Sequence, residues 1–458
     1  MVVLFARTAL LPDEGWARNV RVAVDAAGRI KAVETGAPPQ AGDEDLGASI
    51  LLPAPANLHS HAFQRAMAGM TEMRGPSDTD SFWTWRTLMY RFLQRLDPDQ
   101  VEAIAALTYV EMLEAGYACV GEFHYLHHQP DGASYANPAE MSARIAAASQ
   151  TAGIGLTLLP ALYAHGGADR RPLAGGQVRF GCDFDRYAAV FEGAADAVSA
   201  LPADAAIGIA PHSLRAVSAD MLREAVALQS GPIHIHAAEQ TAEVEEIQAH
   251  YGATPVRWLL DAMGMDGRWC TIHATHMTPD ETEGLARCGA VAGLCSITEA
   301  NLGDGIFDGK RFLAAGGTFG IGSDSNVRIS LSEELRTLEY SQRTRDRARA
   351  VLASSQASAG RRLFETSAAG SAKAMNRASG RIAPGAWADL IAVDGANLAL
   401  AGLAGDSALD GWIFAGDDRA VRHVWSAGRA MVRDGRHIRR EAVEARYRAV
   451  LADLRGAL

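Results

Sequence analysis

The sequence predicts an α/β fold, a (β/α)8 TIM-like barrel that carries a small β-sandwich built from both chain termini. Three observations predict it. The middle of the 458-residue chain alternates short apolar runs with longer helical patterns, one β-then-α unit after another, eight in all. Both ends read instead as short strands and turns. Histidines and an aspartate recur at the ends of the central apolar runs, and barrel enzymes carry their chemistry at that face. The length allows this: about 150 residues per domain would suggest three domains, but an α/β barrel can use about 250 as one unit.

Near the N-terminus, residues 19–24 alternate, 25–28 form a turn and 30–33 resume a strand. The expected central strands are 50–52, 119–123, 155–159, 206–210, 233–236, 270–273, 290–294 and 318–321. Helical patterns fall between them, for example at 101–115, 138–152 and 218–227. Strands return at 388–393, 421–426, 429–432 and 435–438, the last two flanking an Asp-Gly turn at Asp434. Residues 441–458 read as an amphipathic closing helix with arginines on its polar side. The expected domains are therefore 1–52 with 380–458 for the sandwich, and 53–379 for the barrel.

Composition narrows the partners. Hydrophobic residues make up 48% and charged residues 21%, which excludes a disordered chain. No apolar run reaches the roughly 18 residues of a membrane span, and Met1-Val-Val-Leu-Phe-Ala-Arg7 lacks the basic start of a secretory signal. The net charge of −11 disfavours nucleic acid and anionic lipid as main ligands. The cysteines Cys119, Cys182, Cys270, Cys288 and Cys295 are scattered without CxxC spacing, so reduced thiols in a cytoplasmic protein are expected.

The strongest chemical signal is Asn57-Leu-His59-Ser-His61. Period-two geometry puts both imidazoles on one face of a strand end, where they can share a metal. Three later strand ends offer partners: His234-Ile-His236-Ala-Ala-Glu239, His273-Ala-Thr-His276, and Asp324 within Gly322-Ser-Asp-Ser-Asn326. Any one of these alone is more often a hydrogen-bonded structural residue. Together, imidazoles and a carboxylate at successive strand ends suit zinc. His234 and His236 share a face, so spacing does not choose between them, although His236 lies nearer the strand end.

With these residues in view, the chain resembles the amidohydrolase superfamily over essentially its whole length. Within it, the chain is similar to the formimidoylglutamate deiminases of histidine degradation. The specific stretches are His59-Ser-His-Ala-Phe-Gln-Arg-Ala-Met-Ala-Gly69, Asp80-Ser-Phe-Trp-Thr-Trp-Arg86, Glu122-Phe-His-Tyr-Leu-His-His128, His212-Ser-Leu-Arg215, His234-Ile-His-Ala-Ala-Glu-Gln240 and Thr298-Glu-Ala-Asn-Leu-Gly-Asp-Gly305. One departure is Pro53-Ala54, where relatives often place Gly after the Pro. The resemblance assigns the ligand position to His236 and implies one divalent metal held by His59, His61, His236 and Asp324. Binuclear relatives bridge two metals with a modified lysine on a middle strand, and this chain has no lysine between Lys31 and Lys310. Zinc is the expected ion and iron the alternative, because N/O ligands accept several divalent ions.

The resemblance implies hydrolysis of N-formimino-L-glutamate to N-formyl-L-glutamate and ammonia. Metal-activated water would attack the amidine carbon, and nitrogen must leave protonated. Glu239, beyond the strand end, is the expected proton shuttle, and the competing reading makes it a helix first-turn carboxylate. Asp324 would take the proton of the water while ligating, and His273 would orient the hydroxide. The substrate is a small dicarboxylate, so an acidic protein must concentrate positive charge locally. Arg86 and Arg215 are the candidates from the matched motifs, with Gln64, Tyr125 and His212 as polar partners. The Trp83/Trp85 segment is a candidate lid, and a homodimer is the expected assembly. Two alternatives compete: a mononuclear aminohydrolase acting on a purine, pyrimidine or triazine ring, and a non-catalytic barrel scaffold. Two arginines are unneeded for the first, and the intact ligand set speaks against the second.

Overall fold

A computed structural model describes residues 1–72 and 82–456. In chain order its strands are β1 (Val2–Leu11), β2 (Gly15–Val24), β3 (Ile30–Glu34), β4 (Glu44–Asp45), β5 (Ile50–Pro53), β6 (Ala56–Ser60), β7 (Cys119–His124), β8 (Gly155–Leu162), β9 (Ala206–Ile207), β10 (Ala210–Pro211), β11 (Ile233–Ala237), β12 (Trp269–His273), β13 (Val291–Leu294), β14 (Thr318–Ile321), β15 (Leu390–Val393), β16 (Val421–Ser426), β17 (Arg429–Arg433) and β18 (Arg436–His437).

Strands from both termini join in one nine-stranded sheet, ordered β18-β17-β16-β15-β5-β1-β2-β3, with β4 also on β1. The seam between the termini is antiparallel β15 on β5, Leu390 opposite Pro53 and Val393 opposite Ile50. Alternation divides the two faces of this sheet. Leu4, Val20, Val22, Leu51, Leu390, Ala392 and Trp425 bury in a small core of its own. Their neighbours Leu10, Leu52, Ile391 and Val393 join the large core that runs through the rest of the chain. The ten-residue β1, which sequence reasoning did not single out, pairs along its length with β2, and β2 begins at Gly15, four residues before the expected Asn19.

The central strands are parallel. One sheet runs β10-β8-β7-β6, with β9 also on β8, and a second runs β11-β12-β13-β14. Isolated parallel bridges, Ser60 with Asp324 and Ile209 with Ile233, link the two sheets at both pairs of edges. Helices cross between consecutive strands, as parallel connections require. The long Pro98–Ala115 helix shows why these segments are helical: Asp97 caps it by accepting from Gln100 N–H, Pro98 opens it, and Gly116 closes it in the left-handed region (φ 105°).

One expectation needs correction. The run at 50–52 is not the first central strand: β5 belongs to the terminal sheet, and β6 carries the histidine motif. The residues between explain the error. Pro53 and Pro55 bracket Ala54, whose N–H donates to Asp389 O in the terminal sheet, so the chain changes sheets within three residues. A continuous apolar run hides that switch. No helix among the described residues is long and apolar enough to cross a membrane.

Candidate active site

His59 is the last residue but one of β6, His61 lies just past its end, His236 sits near the end of β11, and Asp324 follows β14 by three residues. One ligand atom from each lies within 4.8 Å of every other, and all four side chains are buried. His59 Nε2 and His61 Nε2 both stand 3.3 Å from Asp324 Oδ1. His61 Nδ1 donates to Phe123 O at 2.8 Å, and His236 Nδ1 to His212 O at 3.1 Å. Each of those bonds fixes the tautomer that leaves the Nε2 lone pair facing the cluster. Neither ring nitrogen of His59 has a hydrogen-bond partner. Burial drives the His59 pKa down to about 3, with the other histidines adding to the effect, so its ring is neutral and able to ligate. Burial alone would raise the Asp324 pKa, but the close approach of His59, with His61 and His273, holds it below the usual carboxylate range. Buried neutral imidazoles, an orphaned ring and one ionised carboxylate fit a divalent metal ion.

The backbone around Asp324 is tied directly to β6. Asp324 N–H donates to His59 O and His61 N–H to Asp324 O, both at 2.9 Å. Asn57 accepts from Ser323 N–H and donates to Ser323 Oγ (2.6 Å). Asn326 in turn accepts from Ser323 Oγ and donates to Ser60 Oγ. Gly322 permits the approach: a Cβ there would meet His59 O at 2.7 Å and His59 Cβ at 2.8 Å. Asp324 (φ 45°), Asn326 (φ 53°), His273 (φ 68°) and Ala238 (φ 55°) all occupy the left-handed region. That strain gathers at strand ends where side chains must be re-aimed inward. His234 sits one layer deeper on β11, with Nε2 bonded to Ala374 O at 2.9 Å and no approach to the cluster.

Glu239 and His273 meet beside the ligands, with Oε1 3.6 Å from Nε2. His273 Nε2 is 4.0 Å from Asp324 Oδ2, and its Nδ1 is 3.3 Å from Glu299 Oε1, which also accepts from Cys295 N–H. Burial opposes a charged His273, but Glu239, Glu299 and Asp324 together carry its pKa well above the ordinary value. Burial raises the Glu239 pKa against the pull of His273 and Arg215. Glu239 precedes the Thr241–Tyr251 helix. Glu243 is the first-turn carboxylate there, accepting from the N–H groups of Ala238 and Glu239.

A cavity opens over this cluster, and Gln64, Arg86, Tyr125, His212 and Arg215 all line it. Gln64 Nε2 donates to Tyr125 OH at 2.7 Å, while its Oε1 is buried without a partner. His212 stacks on His236, ring centroids 4.9 Å apart. Arg215 is buried among the charges of Glu243, Glu239 and Glu246, which raise its pKa against desolvation. Arg86, on the Phe82–Leu93 helix, donates from Nε to Tyr90 OH and from Nη2 to Tyr163 OH at 3.2 Å. Trp85 also lines the cavity. Asp80 and Ser81 of the expected Asp80–Arg86 segment lie outside the described residues.

Sequence reasoning missed Tyr90, Tyr163, Gln177 and Glu299 as members of this site. Glu299 stood within a quoted motif without a role. The other three carry no spacing signal: Tyr90 and Tyr163 reach the cavity from a helix and a strand end, and Gln177, on a short 3-10 turn, holds Tyr163 from behind.

Two family models match the chain. The model described as "Amidohydrolase family" matches residues 50–431, and that described as "Formimidoylglutamate deiminase HutF, N-terminal domain" matches residues 1–47. A formimidoylglutamate deiminase of Pseudomonas aeruginosa is 50% identical, covering 99% of this chain and 100% of that protein. A solved amidohydrolase from Brucella melitensis superposes with a TM-score of 0.94 at 49% identity, over 99% of this chain and 100% of that one. An adenosine deaminase from Xanthomonas campestris with bound zinc shares the fold at 21% identity, TM-score 0.82, over 99% and 98%. From the strand-end cluster, the cavity above it and a family match over residues 50–431 that spans all the central strands and part of the terminal sheet, the chain belongs to the amidohydrolase family.

Proposed function

We propose that this protein hydrolyses N-formimino-L-glutamate to N-formyl-L-glutamate and ammonia, the deiminase step of histidine degradation. The observation that carries the reading is one cavity with the His59, His61, His236 and Asp324 cluster at its floor and the guanidinium groups of Arg86 and Arg215 in its walls. The full-length similarity to the Pseudomonas deiminase supports it.

The floor cluster would hold the metal, zinc by its donor set, and the ion would supply Lewis acidity and a water acidified to a pKa near ~7. The protein's own residues do the rest. Asp324 Oδ2 accepts the proton of the attacking water. Glu239, buried and with its pKa raised, carries a proton to the amidine nitrogen so that it leaves as ammonia. His273, anchored through Nδ1 by Glu299, presents Nε2 to the reacting centre as a donor. Gln64, Tyr125 and His212 orient the formimino-amino acid skeleton. Arg215 pairs with a carboxylate, and Arg86 supplies the second positive charge.

Under this reading the two parallel sheets are halves of one barrel over 53–379, eight-stranded when the short β9 and β10 count as one interrupted strand, closed through the Ser60–Asp324 and Ile209–Ile233 bridges. The terminal sheet, 1–52 with 380–458, curls around its own small core as a sandwich. Five free cysteines suit a reducing compartment, the cytoplasm. Mass analysis of the products of the metal-loaded enzyme tests the reaction. N-formyl-L-glutamate with ammonia is the expected pair, and glutamate with formamide would place the cleavage on the wrong C–N bond and overturn the assignment.

A further inference from the structure

Tyr163 follows β8 and lines the cavity together with Arg86, His212 and Arg215. Its hydroxyl oxygen receives two N–H groups, Arg86 Nη2 at 3.2 Å and Gln177 Nε2 at 3.1 Å. The Gln177 amide is oriented by its own oxygen, which accepts from Ala174 N–H at 3.0 Å, so nitrogen is the atom facing the phenol. Neither a guanidinium nor an amide nitrogen can accept a hydrogen bond. Both lone pairs of the phenol oxygen are therefore taken, and its O–H must donate elsewhere. Among the described residues no side chain or carbonyl accepts it. Arg215 lines the same cavity, so the hydroxyl shares that wall with two cations. An O–H donor so placed, at the wall of a cavity, matches one oxygen of a carboxylate.

Ring packing says which carboxylate. Tyr163 packs on His212 at 4.5 Å between centroids, and His212 stacks on the ligand His236 at 4.9 Å. Tyr163 thus stands two rings back from the metal cluster. In formimino-L-glutamate the side-chain carboxylate is the one further from the amidine carbon. We infer that Tyr163 is a substrate-binding residue whose hydroxyl donates to the side-chain carboxylate, with Arg86 and Gln177 holding the phenol in position. The inference rests on the iminohydrolase reading for the identity of the substrate. It also changes the work of Arg86, part of whose donor set is committed to Tyr90 and Tyr163.

The test compares wild type with Tyr163→Phe on two substrates, formimino-L-glutamate and formimino-L-glutamine, whose carboxamide replaces the side-chain carboxylate. Phe keeps the ring packing and removes the hydroxyl, with it both the donor and the acceptor of Arg86 and Gln177, a loss common to the two substrates. On formimino-L-glutamate kcat/KM should fall about 10- to 100-fold, carried mainly by KM, with metal content unchanged. On formimino-L-glutamine the two proteins should differ by less than about threefold. Equal losses on both substrates, or an unchanged KM on the first, would overturn the inference. Calorimetric binding of glutarate gives a readout without turnover and should weaken in Tyr163→Phe. A wild type that turns over neither formimino compound sinks the iminohydrolase reading, whereas equal glutarate affinity in the two proteins sinks the role of Tyr163 alone.

Discussion

At the floor of the cavity, His59, His61, His236 and Asp324 come from the ends of three parallel strands, β6, β11 and β14, with β6 and the Asp324 turn locked together by backbone pairing and by the Asn57–Ser323–Asn326–Ser60 network. At its wall, Arg86, Tyr90, Tyr163 and Gln177 come from a helix, a strand end and a short turn, and hold one another through side chains alone. The floor is set by sheet register, which allows little error, and the wall by side-chain reach, which can be redrawn. This division suits an enzyme family that keeps one hydrolytic centre and changes its substrates.

Substitutions at the two ends should therefore fail differently. The largest effect is expected for His59→Ala, which should lose metal and activity together, since the three remaining protein ligands hold the ion less tightly; elemental analysis of the purified variant checks it. Glu239→Gln should keep its metal yet lose roughly 10²–10⁴-fold in kcat, because an amide cannot shuttle the proton. Near-normal turnover by the metal-loaded variant would remove Glu239 from that role. Arg215→Met belongs to the wall. Its metal content should be normal, and kcat/KM for the dicarboxylate should fall by roughly 2–5 kcal/mol of transition-state binding, with a smaller loss on a substrate lacking the contacted carboxylate. Equal loss on both substrates would make Arg215 structural. The smallest effect is expected for Asn57→Ala, which touches no ligand side chain but removes the tie between β6 and Ser323; chelator competition should show metal affinity down about 10- to 100-fold.

The same contrast explains what could be read from the sequence. His59, His61, His236 and Asp324 stand out because strand periodicity and strand-end position make their spacing meaningful. Spacing does not separate His236 from His234; its place nearer the strand end and the family resemblance favour it, and the structure gives the physical difference: His234 is bonded to Ala374 O, below the cluster. Local pattern misassigned residues 50–52, because two prolines move the chain between sheets inside one apolar run. It left β1 unremarked because hydrophobic residues on both faces, Leu4 and Ala9 toward one core and Leu10 toward the other, blur the alternation. Tyr163 and Gln177 were illegible for a different reason. Their significance depends on Arg86, some eighty to ninety positions away in the chain, and no periodicity spans that distance.

The most direct test of the account is a substrate screen. The metal-loaded enzyme is assayed for ammonia release, as kcat/KM, with formimino-L-glutamate, formimino-L-aspartate, guanine and cytosine. The cationic wall over the strand-end cluster predicts formimino-L-glutamate as the best substrate, with the rings at least ~10²-fold poorer because they leave buried donors unpaired. A preference for guanine or cytosine would contradict the account.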